Sequence, residues 1–272
     1  MTDAATAEPE VPAAPSRGRI IFEAEGVTKR FGGIRAVNGA TMQVREGSIT
    51  ALIGPNGAGK TTFFNLITGF YKPDQGRTTY MGEPITGEAP YRIARKGMVR
   101  TFQITKALEG MPVLDNMMLA AHDQPGEKLR NAVFRPAASR RREREVRKQA
   151  DDLLEIFNLT KLRDSYAGTL SGGQRKLLEL GRALMTRPRF LLLDEPMAGI
   201  NPTLGRQLLD HMQSLRRDAG VTFLFIEHDM EVVMNHSDRV IVMAEGRVIA
   251  EGEPQEVRSD QKVIDAYLGG SA

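Results

Sequence analysis

The sequence contains no cysteine, which excludes disulfides and thiolate metal sites and agrees with a reducing compartment. It also lacks any apolar run near the roughly 20 residues that a bilayer-spanning helix needs. The longest runs, at residues 190–193 and 221–226, are strand-sized, so membrane association is expected only through a partner. Neither sign of charge is in large excess: Lys and Arg total 37 against 34 for Asp and Glu, a net +3. That balance carries no strong nucleic-acid signature, and no nucleic acid is expected as a partner. The first eighteen residues have neither the basic start nor the continuous apolar stretch of a secretory signal; rich in Ala and Pro, residues 1–18 are expected to form a disordered tail. What is present is a chain of 272 residues with 41% hydrophobic content. That suffices for a large core, in one domain or two closely joined subdomains, and excludes a disordered or collagen-like chain.

Short apolar runs recur between helical stretches, at residues 49–53, 190–193 and 221–226. Without polar alternation they suit strands buried on both faces, which predicts an α/β fold with a mainly parallel sheet covered by helices. Residues 20–24 and 40–44 read as strands of a smaller antiparallel sheet, separated by the turn-rich Phe31-Gly32-Gly33. Near the end, residues 240–243 and 248–250 flank Glu245-Gly246, a hairpin signal. Between about Asp115 and Gly168 the pattern turns helical, interrupted at Gln124-Pro125-Gly126 and Arg135-Pro136. Val146, Ala150, Leu153, Leu154 and Phe157 fall on one helical face. This predicts a helical subdomain inserted between sheet elements.

Three motifs carry chemistry. Gly54-Pro55-Asn56-Gly57-Ala58-Gly59-Lys60-Thr61 fits G-x-x-x-x-G-K-[ST], with a strand before it and a helix after it. Its glycines let backbone N–H groups close around phosphate oxygens, Lys60 adds a full charge, and Thr61 offers a hydroxyl to Mg²⁺. Asp194 and Glu195 follow the apolar strand 190–193, at the sheet edge where ligands of open α/β sheets bind. Buried carboxylates need a cation or hydrogen-bond partners; Asp194 is expected in the Mg²⁺ shell and Glu195 beside the attacking water. Leu170-Ser171-Gly172-Gly173-Gln174 opens the amphipathic helix of Leu177, Leu178, Leu184 and Met185. Ser171 suits an N-cap, and the two glycines leave bare backbone at a helix tip, a second anion site. The nucleotide of another subunit satisfies that site most simply.

Walker A, the LSGGQ signature and Walker B in this order resemble the ABC ATPases, from about residue 20 to the C-terminus. The resemblance implies a P-loop NTPase (RecA-like) core at residues 19–103 and 177–250, with an N-terminal antiparallel β subdomain. It also implies an inserted α-helical subdomain at 104–176 and a closing segment at 251–270. It implies ATP and Mg²⁺ as cofactors, with Thr62 joining residues 54–61 around the nucleotide and Ser171, Gly172, Gly173 and Gln174 supplying the partner's contribution. Phe31 matches the aromatic that stacks on adenine, although alone it would be read as core. Gln103, in Arg100-Thr101-Phe102-Gln103, matches the glutamine that contacts Mg²⁺ and the attacking water, and His228 the switch histidine. His122, His211 and His236 receive no role. Catalysis is thereby placed on Glu195, His228, Gln103 and Lys60, and metal binding on Thr61, Gln103 and Asp194.

After Walker B many cassettes read Ser-Ala-Leu-Asp, whereas here the loop is Met197-Ala198-Gly199-Ile200-Asn201-Pro202. This variant, the long helical insertion at 121–157 and the segment 263–269 are similar to the cassettes of high-affinity branched-chain amino acid importers. The partners so implied are a second cassette, identical or paralogous, integral-membrane permease subunits and an extracytoplasmic substrate-binding protein, placing the chain at the cytoplasmic face of the cell membrane. Lipid-exporting cassettes, and soluble cassettes acting on DNA or ribosomes, are the competing readings. The stretch between Lys60 and Ser171 lacks the sustained heptads of the DNA-repair type, and one chain carries one cassette, unlike most ribosome-associated types. From residue 140 to 148 six basic side chains face two acidic ones, either a solvated helix face or a contact with anionic lipid or an acidic permease surface.

Overall fold

The computed structural model describes residues 18–101, 108–121 and 136–268. Two long strands, β1 (Ile20–Phe31) and β2 (Ile34–Arg45), open the chain. They are longer than the apolar runs at 20–24 and 40–44 suggested, because pairing continues through polar residues up to the tight turn at Gly32-Gly33, with register shifts along the way. β3 (Ile49–Ile53), α1 (Lys60–Ile67), β4 (Gln75–Tyr80), β5 (Glu83–Pro84), α2 (Pro90–Arg95), β6 (Met98–Arg100) and α3 (Val113–Leu119) follow. Then come α4 (Pro136–Ile156), α5 (Gly172–Met185), β7 (Phe190–Asp194), α6 (Pro202–Ala219), β8 (Thr222–Ile226) and α7 (Met230–His236). The chain closes with β9 (Arg239–Ala244), β10 (Arg247–Gly252), α8 (Pro254–Ser259) and α9 (Gln261–Leu268).

One sheet is antiparallel in the order β2-β1-β4-β5; the other has six strands in the order β10-β9-β3-β8-β7-β6. In the larger sheet every pairing is parallel except the β9–β10 hairpin. All five residues of each of β3, β7 and β8 are buried, as expected of strands covered on both faces. Alternation then sorts the side chains. Ile49, Ala51, Ile53, Leu191, Leu193, Phe223 and Phe225 belong to one core with Met117, Val146, Leu154 and Phe157 of the helical segment. Leu52, Leu192, Leu224 and Ile226 face the other way, into a core shared with α1 and the antiparallel sheet. The parallel sheet is thus the middle layer between two hydrophobic cores.

The expected helical face is present, with Val146, Ala150, Leu153, Leu154 and Phe157 all buried. Asn116 on α3 fixes the entry to this layer: its buried side-chain amide accepts from the Leu108 N–H and donates to the carbonyls of Leu108, Met111 and Pro112. On α4, the exposed Arg141 and the half-buried Arg142 both pair with the exposed Glu145, which favours the solvated-face reading of the basic run.

Candidate functional site

Between β3 and α1 the chain turns through Gly54, Gly57 and Gly59, with φ of 149°, 79° and 96°. At two of these glycine is required by space. A Cβ on Gly54 would collide with the carbonyl oxygen of Met243 in β9, and one on Gly59 with that of Ala36 in β2. Gly57 has nothing within 4 Å, so there the loop faces open space. Ala58 is buried, and its carbonyl accepts the Gly246 N–H at 3.0 Å, which clamps the loop to the β9–β10 hairpin. Pro55 is half-buried and Asn56 exposed.

Lys60, at the first position of α1, donates its ammonium to the carbonyls of Gly54 at 2.6 Å and Pro55 at 3.0 Å. Burial pushes this ammonium below the usual lysine range, opposed by the carboxylates of Glu195 and Asp194. The lysine of one motif and both acids of another therefore share one electrostatic neighbourhood. Thr61 is exposed and Thr62 half-buried in the first turn of α1.

Asp194 ends β7 at only 4% exposure, and the cation it requires is partly supplied by the chain itself. Arg100, at the end of β6, donates Nη2 to Asp194 Oδ2 at 2.6 Å and Nη1 to Asn65 Oδ1 at 2.7 Å. Its guanidinium lies 5.5 Å from the Phe64 ring centre. Sequence reasoning passed over this arginine, although a buried aspartate signals the need for one. Glu195 follows with φ 48°, left-handed backbone that costs a non-glycine residue about 1–3 kcal/mol. Its N–H is held by the Ile226 carbonyl at 3.0 Å, so β8 fixes where the carboxylate begins.

Ser171 caps α5 in a reciprocal box. Its hydroxyl accepts the Gln174 N–H at 3.3 Å and the Gln174 side-chain oxygen accepts the Ser171 N–H at 2.9 Å, which occupies the Gln174 carbonyl with the cap. Gly172 is exposed, whereas Gly173 is buried. A Cβ on Gly173 would lie 2.5 Å from Leu204 and 3.2 Å from Ile200, so this glycine lets α5 approach the loop after β7. Asn201, the departure noted above, caps α6 by accepting the Leu204 N–H at 2.9 Å. Among the described residues no hydrogen bond joins this helix tip to the loop at 54–59.

Phe31, at the end of β1, is 44% exposed and stands edge-on to Tyr71 with ring centres 5.3 Å apart. It is therefore not a core aromatic, and Tyr71 is a neighbour that no motif flagged. His228 is also exposed, with Nδ1 3.7 Å from the buried carboxylate of Glu227. Gln103 lies outside the described residues, as does His122. His211 packs edge-on against Phe157, and His236 ends α7.

A family model described as ABC transporter matches residues 37–198. The chain belongs to that family. A second model, described as Branched-chain amino acid ATP-binding cassette transporter, matches residues 247–272 of this cassette. It is 45% identical to the high-affinity branched-chain amino acid transport ATP-binding protein BraF of Pseudomonas aeruginosa, over 92% of this chain and 98% of that one. Among solved structures it resembles a nucleotide-free ATP-binding cassette from an ABC transporter, with TM-score 0.78 and 40% identity, covering 92% and 99% of the two chains. A dimeric post-hydrolysis cassette bound to ADP and Pi aligns with TM-score 0.71 and 25% identity over 86% and 98%. The chain is an ATP-binding and ATP-hydrolysing cassette of a transporter. Among the described residues no helix is long and apolar enough to cross a membrane.

Proposed function

We propose that this cassette powers import of branched-chain amino acids or closely related amino acids or amides, with ATP held between two cassettes. One observation supports the site most directly: Arg100 bridges Asn65 on α1, at 2.7 Å, and Asp194 at the end of β7, at 2.6 Å, and the carboxylates of Glu195 and Asp194 oppose the downward shift that burial imposes on the Lys60 ammonium. The phosphate loop, α1 and the end of β7 thus converge on one point at the strand ends of the parallel sheet. The loop N–H groups and Lys60 would bind the phosphates, and Phe31 would stack on the base.

The residues fit Mg²⁺. Thr61 and Asp194 are hard oxygen donors, and magnesium needs few of these when phosphates and waters complete its shell. Asp194 carries a permanent counter-charge in Arg100, whose Nη2 lies 2.6 Å from Oδ2. The ion would supply charge compensation on the phosphates; Gln103 is assigned to the same shell. Glu195 would orient and polarise the attacking water, and His228 would reach the γ-phosphate. The protein does little covalent chemistry here: it positions water and offsets charge.

Ser171, Gly172, Gly173 and Gln174 would meet the nucleotide of the second cassette, identical or paralogous. Hydrolysis would remove the phosphate that joins the two and let the interface reopen. We assign residues 19–103 and 177–250 to the core, 104–176 to the helical subdomain and 251–270 to the closing segment. Permease subunits and an extracytoplasmic binding protein complete the assembly, and the match of 247–272 to the branched-chain model supports that cargo class. Steady-state ATPase rates of wild type and Glu195→Gln test the site. The variant should bind Mg·ATP as wild type does and turn over on the order of 100-fold more slowly or less. Equal rates would remove Glu195 from the chemistry.

A further inference from the structure

The loop after β7 is gripped by a side chain that no motif assigns. Lys176, on the second turn of α5, donates its ammonium to the carbonyl oxygens of Glu195 at 3.0 Å, Pro196 at 3.5 Å and Ala198. Three N–H donors thus meet three backbone acceptors, the full capacity of an ammonium. The grip falls where the backbone is strained. Glu195 has φ 48° and Gly199 φ 72°, and the Glu195 carbonyl also accepts the Ala198 N–H at 3.1 Å, closing a turn. From the other side Glu227, 1% exposed, accepts the Met197 N–H at 2.8 Å and the His228 N–H at 3.2 Å.

We propose that Lys176 is a positioning residue for hydrolysis: it holds the left-handed turn that aims the Glu195 carboxylate, and it makes that turn move with the helix that Ser171 caps. The inference rests on reading Glu195 as the residue that orients water. Left-handed backbone at a non-glycine residue persists only where its surroundings over-determine it; here the Ile226 carbonyl restrains the N–H, while Lys176 and the Ala198 N–H restrain the C=O. Lys176 touches no reacting atom. It carries geometry from the helix tip facing one nucleotide to the carboxylate facing the other. Burial lowers its proton affinity, and the carboxylates of Glu227, Glu179 and Glu195 oppose that shift.

The test uses the full-length chain with Mg·ATP and two variants, Lys176→Met, which keeps the aliphatic stem without donors, and Lys176→Arg, which keeps the charge. The expected result is a split: KM for ATP stays within about twofold while kcat of the methionine variant falls on the order of 100-fold, the cost of misplacing a reacting group by about 1 Å. Arginine should hold kcat within about tenfold of wild type. Amide exchange at Ala198 and Ile200 should quicken by about tenfold in the methionine variant, as expected when a charged hydrogen bond is lost, with β3 and β8 unchanged. Methionine with wild-type kcat, an arginine variant as slow as methionine, or exchange rising throughout the sheet would each overturn the inference. Exchange at 198 and 200 reads the grip independently of turnover. A wild-type chain that bound ATP without hydrolysing it would therefore sink the role of Glu195 while the exchange result still judged Lys176.

Discussion

The loop at residues 54–59 and the loop at 195–201 follow β3 and β7, which flank β8 in the parallel sheet, yet they hold their shapes by opposite means. The first is shaped by its own composition: Gly54 and Gly59 adopt positive φ, and the oxygens of Met243 and Ala36 leave no room for a Cβ at either. The second contains one glycine with positive φ, Gly199, and open space around it; its turn is set by Lys176 and Glu227, reached from α5 and from the end of β8. A loop of the first kind announces itself as a contiguous motif. A loop of the second kind is encoded by distant residues, Lys176 lying 19 positions before Glu195 and Glu227 lying 30 after Met197, which no local pattern reveals.

Substituting glycine in each loop breaks the comparison most sharply. Gly59→Ala combines left-handed strain of about 1–2 kcal/mol with a backbone collision, so ATP affinity measured by calorimetry should fall by about two orders of magnitude. Gly199→Ala adds strain of that size without a collision and should leave affinity within about threefold. Comparable losses from both would mean that the two loops are shaped alike.

A smaller effect is expected from Glu227→Gln. The carboxylate accepts two N–H groups, one on each oxygen, whereas an amide has a single accepting oxygen and, in the same geometry, turns an NH₂ toward the other donor. One unsatisfied buried donor costs about 1–3 kcal/mol, and kcat should fall about tenfold with KM unchanged, since Met197 and His228 both shift. The pH dependence of stability gives a separate reading. Burial raises the Glu227 proton affinity, only partly offset by the N–H groups of Met197 and His228 and the His228 charge. A carboxyl whose folded pKa is raised contributes stability below its unfolded pKa, near 4.3, and loses it as pH rises through the folded value. The Tm of wild type minus that of the variant should therefore decline as pH is raised from about 4 to about 7. A difference that grew over that range would contradict the burial argument.

Legibility in the sequence follows the same division. The strands β3, β7 and β8 could be read because continuous apolar runs mean burial on two faces, and Gly54–Lys60 and Ser171 could be read because loop and cap chemistry is local. The full length of β1 and β2 could not, since their polar halves are held by pairing rather than by pattern. Arg100 is illegible for another reason: an aspartate at 4% exposure needs a permanent counter-charge whether or not a metal is bound, but no local pattern says which cation, 94 positions away, supplies it. Gly173 was read as backbone bared for an anion, while its hydrogen also faces Leu204 and Ile200, a packing demand that only the folded chain displays.

The central claim is that one ATP is gripped by the Lys60 loop of one cassette and by the Ser171 helix tip of its mate. Light scattering of full-length Glu195→Gln, with and without Mg·ATP, tests it most directly. The account predicts a mass that doubles from monomer to dimer on adding ATP, and a return to monomer when Ser171→Arg is added. A chain that saturates with ATP yet stays monomeric, or a dimer indifferent to Ser171→Arg, would contradict it.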